Sequence, residues 1–360
     1  MEKTTKKRIE YVDALRGFAM YLVVYSHIWT FGYHADSSNS FDHILLNFFL
    51  VLFFFVSGFV AYKKEQDWNM NSINHKLKEK AIQLLIPSIV FTALFYGTVY
   101  HNLAGIQHIA LAEYWFTVQL FFFFVFYYFT MFFCKKMSGT KLNVALLSVA
   151  FLIFILSYSH VIIEKTQIGA NLFHYLGIKY WRYYLFFCIG IVIRNSFEQF
   201  KRITDNPCYM AFFVIGFFFM IFFADQIEFP MWKPIRMIVY GLLSIIVIFT
   251  FFRKHESSFQ SKTKVGYVMQ YIGKRTLDIY MIHYFVLPLN LNAWGNYFVN
   301  NINHILEFFT TSIIVLLVLT VSIVIGNIIR LSPLLSHYLF GSKKKLGGKD
   351  NIKEEICRNS

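Results

Sequence analysis

Arg16 and His27 stand eleven residues apart in the first long apolar stretch of a 360-residue chain, in the run Tyr11-Val12-Asp13-Ala14-Leu15-Arg16-Gly17-Phe18-Ala19 followed by Ser26-His27. In an α-helix that spacing turns about 1100°, roughly 20° past three full turns, so both side chains project from one face, about 16 Å apart along the axis. A guanidinium is a permanent cation whose planar fork of donors suits a phosphate, and an imidazole takes up and releases a proton near neutral pH. Together they form a track with a cation for an anionic group at one end and an acid/base group deeper in. Asp13, one turn before Arg16, is placed to pair with the guanidinium or hold it in position. Taken singly the same residues have plainer readings. Arg16 then snorkels to a membrane interface, and His27 is a buried imidazole hydrogen-bonded to a neighbouring helix.

Other polar residues in apolar stretches are weaker signals. Phe53-Phe54-Phe55-Val56-Ser57-Gly58-Phe59 contains a small Ser-Gly pair that permits close helix packing. Trp115 reads as an interfacial anchor, with Gln119 a turn further in. The run Gly273-Lys274-Arg275-Thr276-Leu277-Asp278-Ile279-Tyr280-Met281-Ile282-His283-Tyr284 places Asp278 and His283 near the start of a ninth apolar span, where His283 reads as a local structural histidine. Nucleotide-binding glycine loops, His-Glu-x-x-His and Cys-x-x-Cys metal patterns, and a Gly-x-Ser-x-Gly elbow are all missing from the sequence. No metal site is expected. Any activated group must arrive on a donor.

The elements that carry these residues follow from composition. Hydrophobic residues make up 57% of the chain and charged residues 15%, with 44 Phe and 23 Tyr. Mean hydropathy is +0.49. A soluble domain needs roughly 25% charged residues to cover its surface, so a soluble, disordered or nucleic-acid-binding protein is excluded. Stretches of about 20 apolar residues, enough to cross roughly 30 Å of hydrocarbon, recur at 13–32, 44–62, 82–100, 114–134, 142–160, 180–195, 208–225, 236–253, 277–298 and 308–331. The sixth is short and the ninth is interrupted at Pro288. With a cytosolic N-terminus the segments between spans hold 27 Lys and Arg inside and 5 outside, while Arg16 and Arg330 at helix ends complete the 34. That bias places both termini in the cytosol. The net charge of +14 therefore reports membrane topology. Cys134, Cys188, Cys208 and Cys357 lie in apolar runs or on the expected cytosolic side and make no disulfide framework. The expectation is an all-α, polytopic membrane bundle of about ten helices, with a basic N-terminus 1–11, a membrane domain 12–331 and a basic cytosolic tail 332–360.

The first-helix run Asp13 to Ala19 followed by His27 resembles the opening signature of the acyltransferase-3 family of integral membrane proteins, an Arg, ten residues, then a His. Phe53 to Phe59, Trp115-Phe116 with Leu120-Phe121, and Gly273 to His283 are similar to further family stretches in the same order. The resemblance covers about 12–331. It implies a stand-alone member without the extracytoplasmic hydrolase-like domain that some relatives carry. Many relatives have a Glu on the fourth helix where Gln119 stands here.

The resemblance implies transfer of an acyl group, most often acetyl, from acyl-coenzyme A to a hydroxyl of a cell-envelope glycan in a bacterial cell membrane. A thioester is already activated, which fits a chain with no ATP motif. Coenzyme A is polyanionic, so Arg16 and the lysines of 63–80, with Lys63 and Lys64 first among them, are expected to bind its phosphates at the cytosolic mouth. His27 is expected to act as general base on the acceptor hydroxyl, or to carry the acyl group briefly. Ser57 and Tyr25 are weaker candidates to stabilise an oxyanion. Two other classes compete. A transporter or flippase for a lipid-linked sugar would usually show related halves or paired broken helices. A polyprenyl-dependent glycosyltransferase would carry acidic residues in large outer loops.

Overall fold

A computed structural model describes residues 8–35, 40–46, 48–64, 66–101, 109–110, 112–163, 176–229 and 231–342. Most of the described residues are helical, with no strand among them. Most of the tail expected at 332–360 lies outside the described residues, as does Cys357. The other three cysteines are free thiols.

The first helix, α1 (Glu10–His27), continues into a π-helical turn over Ile28–Tyr33 and stands at the centre of the bundle. Its flanks are buried on nearly every side. This burial explains how a helix carrying Asp13, Arg16 and His27 can sit inside apolar surroundings: its polar groups face protein and an internal cavity, where partners are available. Two half-length helices, α2 (Phe41–Leu46) and α3 (Phe49–Ala61), form the second apolar stretch. The chain then runs through α4 (Met70–Lys80), a π turn and α5 (Ile86–Val99) as one 30-residue helical unit. It continues through α6 (Trp115–Phe133), α7 (Gly139–Ile163), α8 (Tyr184–Asn195) and the short α9 (Phe197–Asp205). Next come α10 (Pro207–Phe223), α11 (Trp232–Lys254), α12 (Lys264–Lys274), α13 (Thr276–Val286), α14 (Asn292–Asn300), α15 (His304–Leu331) and α16 (Pro333–Phe340).

Among the described residues six helical units are long and apolar enough to cross a membrane: those over Met70–Val99, Trp115–Phe133, Gly139–Tyr158, Pro207–Gln226, Trp232–Lys254 and His304–Leu331. The other four expected spans appear in shorter or more polar form. The ninth is the clearest case. It breaks after Val286, and Pro288, which has no N–H to extend a helix, follows the helix cap at Leu287.

Two close helix crossings organise the centre. α1 lies against α12 so tightly that a Cβ on Gly17 would overlap the Met269 carbonyl, and one on Gly273 would overlap the Asp13 carbonyl. α3 crosses α8 in the same way, with Gly58 against the Phe187 carbonyl and Gly190 against the Phe55 carbonyl. Small residues at such crossings let backbones approach in lipid, where no hydrophobic effect drives helices together. Gly58 of the Ser57-Gly58 pair therefore serves packing, as its sequence indicated. At the periphery α10 buries only Phe217 and Met220 and turns Phe212, Ile215 and Phe222 outward, as a helix facing lipid should.

Candidate active site

The α1–α12 crossing sets up one end of the site. Gly273 seats on the backbone of Asp13, so the chain that follows it reaches α1 just where Arg16 projects. Arg16 Nη2 donates to Thr276 Oγ1 at 2.9 Å, and Nη1 is 3.6 Å from Asp13 Oδ1. Asp13 also lies 3.8 Å from Arg8. The guanidinium is thereby held from two sides and remains partly exposed.

Eleven residues further along α1, His27 meets α13. Its Nδ1 is 2.7 Å from Nε2 of His283, and the two rings are nearly parallel. His283 is fully buried, and its own Nδ1 lies 3.0 Å from the Ile279 carbonyl oxygen one helical turn back. Tyr284 packs its ring 5.0 Å from the His27 ring and brings its hydroxyl 3.5 Å from Nε2. The hydroxyls of Tyr284 and Tyr280 both donate to the Glu113 carbonyl at 3.0 Å, which ties the start of α6 to α13. Thr276 and His283 are seven residues apart, about 700°, so they too share a face. α1 and α13 thus meet through Arg16 with Thr276 and again through His27 with His283.

A cavity of about 720 Å³ reaches both Arg16 and His27. One part is lined by cations, with Lys63, Lys76, Lys80, Lys274 and Arg330 beside Arg16. Of the two carboxylates on its wall among the described residues, Asp278 is already bound by both nitrogens of a two-pronged Arg330 contact at 2.6 Å and by Arg275 at 3.0 Å. The other, Glu79, lies 3.8 Å from His75. Lys80 contacts Gln83 at 3.2 Å and the Phe124 ring at 4.4 Å. Aromatic rings form much of the remaining wall, among them Phe49, Phe53, Trp115, Phe116, Tyr280 and Tyr284, with Tyr284 packed against His27, and aliphatic side chains such as Met20, Val23, Leu50 and Val56 lie between them. A space with surplus positive charge at one end and an imidazole among aromatic rings at the other fits a long ligand with an anionic head and a reactive far end. Among the described residues no three His, Cys, Asp or Glu side chains gather where they would hold a metal ion.

The sequence-derived candidates fall into two groups. Arg16, His27 and Lys63 line the cavity, Asp13 supports Arg16, and Ser57 lines it too, although its hydroxyl donates to the Phe53 carbonyl at 2.8 Å. Lys64 is exposed and outside the cavity lining. The chain leaves α3 in extended form at Tyr62 (φ −69°, ψ 131°) and bends at Lys64, and of the two lysines Lys63 lines the cavity. Tyr25 is buried away from the cavity with its hydroxyl 3.3 Å from Glu307. Gln119 is fully buried and donates to the Leu176 carbonyl at 3.1 Å, tying down a connecting segment. His283 is the main revision: its ring is the hydrogen-bond partner of His27, where a local structural role was expected. α13 is only eleven residues long, so His283, one turn from its end, lies as deep as His27. The spacing puts Thr276 and His283 on one helix face, but it does not say which helix that face meets.

A central helix carrying a cation and an imidazole, enclosed in an apolar bundle and opening on a charged cavity, defines a multi-pass membrane protein with an internal charged cavity. The chain belongs to the acyltransferase-3 family: that family's model, described as an acyltransferase domain, matches residues 9–328. The protein is a membrane acyltransferase. No curated protein and no solved structure matches the chain.

Proposed function

We propose that the protein moves an acyl group, most simply acetyl, from acyl-coenzyme A to a sugar hydroxyl of a cell-envelope polysaccharide or glycolipid, in a bacterial cell membrane with both termini cytosolic. The observation that carries this reading is the single cavity joining the cationic cluster around Arg16 to His27. Coenzyme A brings several phosphate charges and a long pantetheine arm ending in a thioester. Cations at the mouth match its head, and the roughly 16 Å between Arg16 and His27 along α1 leaves room for the arm. Arg16, Lys63, Lys76 and Lys80 hold the phosphates in this reading.

At the far end, His27 takes the proton from the acceptor hydroxyl as that oxygen attacks the thioester carbonyl. The new oxygen–carbon bond forms, the carbon–sulfur bond breaks, and the thiolate recovers the proton from His27. A positioned base of this kind is worth typically 10²–10⁴-fold in rate. The test is mass spectrometry of envelope glycans from cells with the wild-type protein and with His27→Ala or His27→Gln at equal protein level. An ester mass present with wild type and missing with both variants is expected. Esters that persist with either variant would remove His27 from the chemistry. Unchanged glycan chemistry with less glycan at the surface would point to transport.

A further inference from the structure

The hydrogen bonds through Ile279, His283 and His27 can run in only one direction. The Ile279 carbonyl oxygen only accepts, so His283 Nδ1, 3.0 Å away, carries a hydrogen. A neutral imidazole carries one, which leaves His283 Nε2 as an acceptor. The atom facing it at 2.7 Å is His27 Nδ1, which therefore donates. With its hydrogen on Nδ1, His27 keeps a lone pair on Nε2. The Tyr284 hydroxyl, 3.5 Å from Nε2, commits its hydrogen to the Glu113 carbonyl at 3.0 Å and leaves that lone pair available. His27 lines the cavity, while His283 lies behind it with no exposed surface.

We propose that His283 is a positioning residue that fixes His27 in the Nδ1–H tautomer and in one ring orientation, presenting Nε2 to the acceptor hydroxyl. The assignment rests on the reading of His27 as general base. His283 acts only through His27. When Nε2 takes up the hydroxyl proton, Nδ1 keeps its hydrogen bond to His283, so the ring stays aligned until the proton returns to the leaving thiolate. The helix itself anchors the pair, because the Ile279 carbonyl that orients His283 belongs to α13. Removal of an orienting partner leaves the base free to adopt the other tautomer, with its hydrogen on the nitrogen that must accept.

The test compares His283→Leu with His283→Gln in purified full-length protein, using acetyl-coenzyme A and envelope glycan from cells lacking the protein. Both replacements are near histidine in size. Glutamine's side-chain oxygen can accept from His27 Nδ1, whereas leucine offers nothing. His283→Leu should lower kcat about a hundredfold with the donor KM unchanged, and His283→Gln should stay within about tenfold of wild type. A purely packing role predicts the reverse order, since leucine suits an apolar site better. Wild-type protein with 15N-labelled histidine gives an independent reading, with His27 identified by the signal lost in His27→Gln: Nδ1 should be the protonated nitrogen. Full activity in the leucine variant, equal loss in both variants at normal yield, or a hydrogen on His27 Nε2 would each overturn the assignment. Wild type that transfers no acetyl group, or His27→Ala that transfers it normally, would instead mark failure of the general-base reading on which the assignment depends.

Discussion

Arg16 makes two contacts in different directions, to Thr276 Oγ1 and to Asp13, and still faces the cavity. Only a planar fork with several donors can hold both partners and meet a phosphate as well. Lysine keeps the charge but concentrates its donors on one atom. Arg16→Lys should therefore raise the donor KM about tenfold or more while changing kcat much less, measured as initial rate against acetyl-coenzyme A concentration. A lysine variant with wild-type kinetics would reduce Arg16 to an interfacial anchor. The Arg16–His27 stripe was legible because helical periodicity lies within one segment of sequence. His283 was not, because its partner is 256 positions away in the chain. Nothing local to residues 273–284 specifies that α13 stands beside α1.

At the scale of elements, the site depends on how closely α1 and α12 approach. Gly17 and Gly273 face backbone carbonyls, which cannot swing aside as a flexible side chain can. Gly273→Ala should destabilise the protein by about 1–3 kcal/mol or more, as overpacking does. It should also cut activity, because any shift of α12 moves Thr276 away from Arg16. Gly216 in α10 is the matched control. A Cβ there would meet Leu243 at 3.4 Å, an ordinary contact, and alanine favours helix over glycine. Gly216→Ala should melt at or above the wild-type temperature in detergent while Gly273→Ala melts well below it, and equal melting of the two would count against the crossing as the organising contact. Apolar length and charge bias made most of these helices visible in the sequence. The break at Pro288 was visible as well. Its consequence, a half-length α13 that delivers a histidine to mid-bundle, depended on where the helix begins, and the apolar pattern does not fix that point.

At the scale of the whole molecule, positive charge is concentrated on the expected cytosolic segments, and part of it, Lys63, Lys76, Lys80 and Lys274, also lines the cavity. A basic membrane face attracts any polyanion over distances set by salt, with a Debye length of about 10 Å at 0.1 M. Cations gathered in a cavity contact one bound ligand directly, and of the two described carboxylates on its wall Asp278 is held by arginines. The two effects separate by substitution. Lys76 and Lys80 lie one helical turn apart on the cavity-facing side of α4, whereas Lys136 is exposed beyond the end of α6 and outside the cavity. Raising salt from 50 to 300 mM should increase the donor KM of the wild type several-fold, about what a single phosphate contact on a nucleic acid loses over that range. Lys76→Gln with Lys80→Gln should raise KM at low salt and flatten that dependence, while Lys136→Gln should leave both unchanged. An equal effect from Lys136→Gln would mean that the donor is drawn by the membrane face as a whole. The cavity cations would then be ordinary members of a basic surface, and the head of the donor would have to be recognised elsewhere.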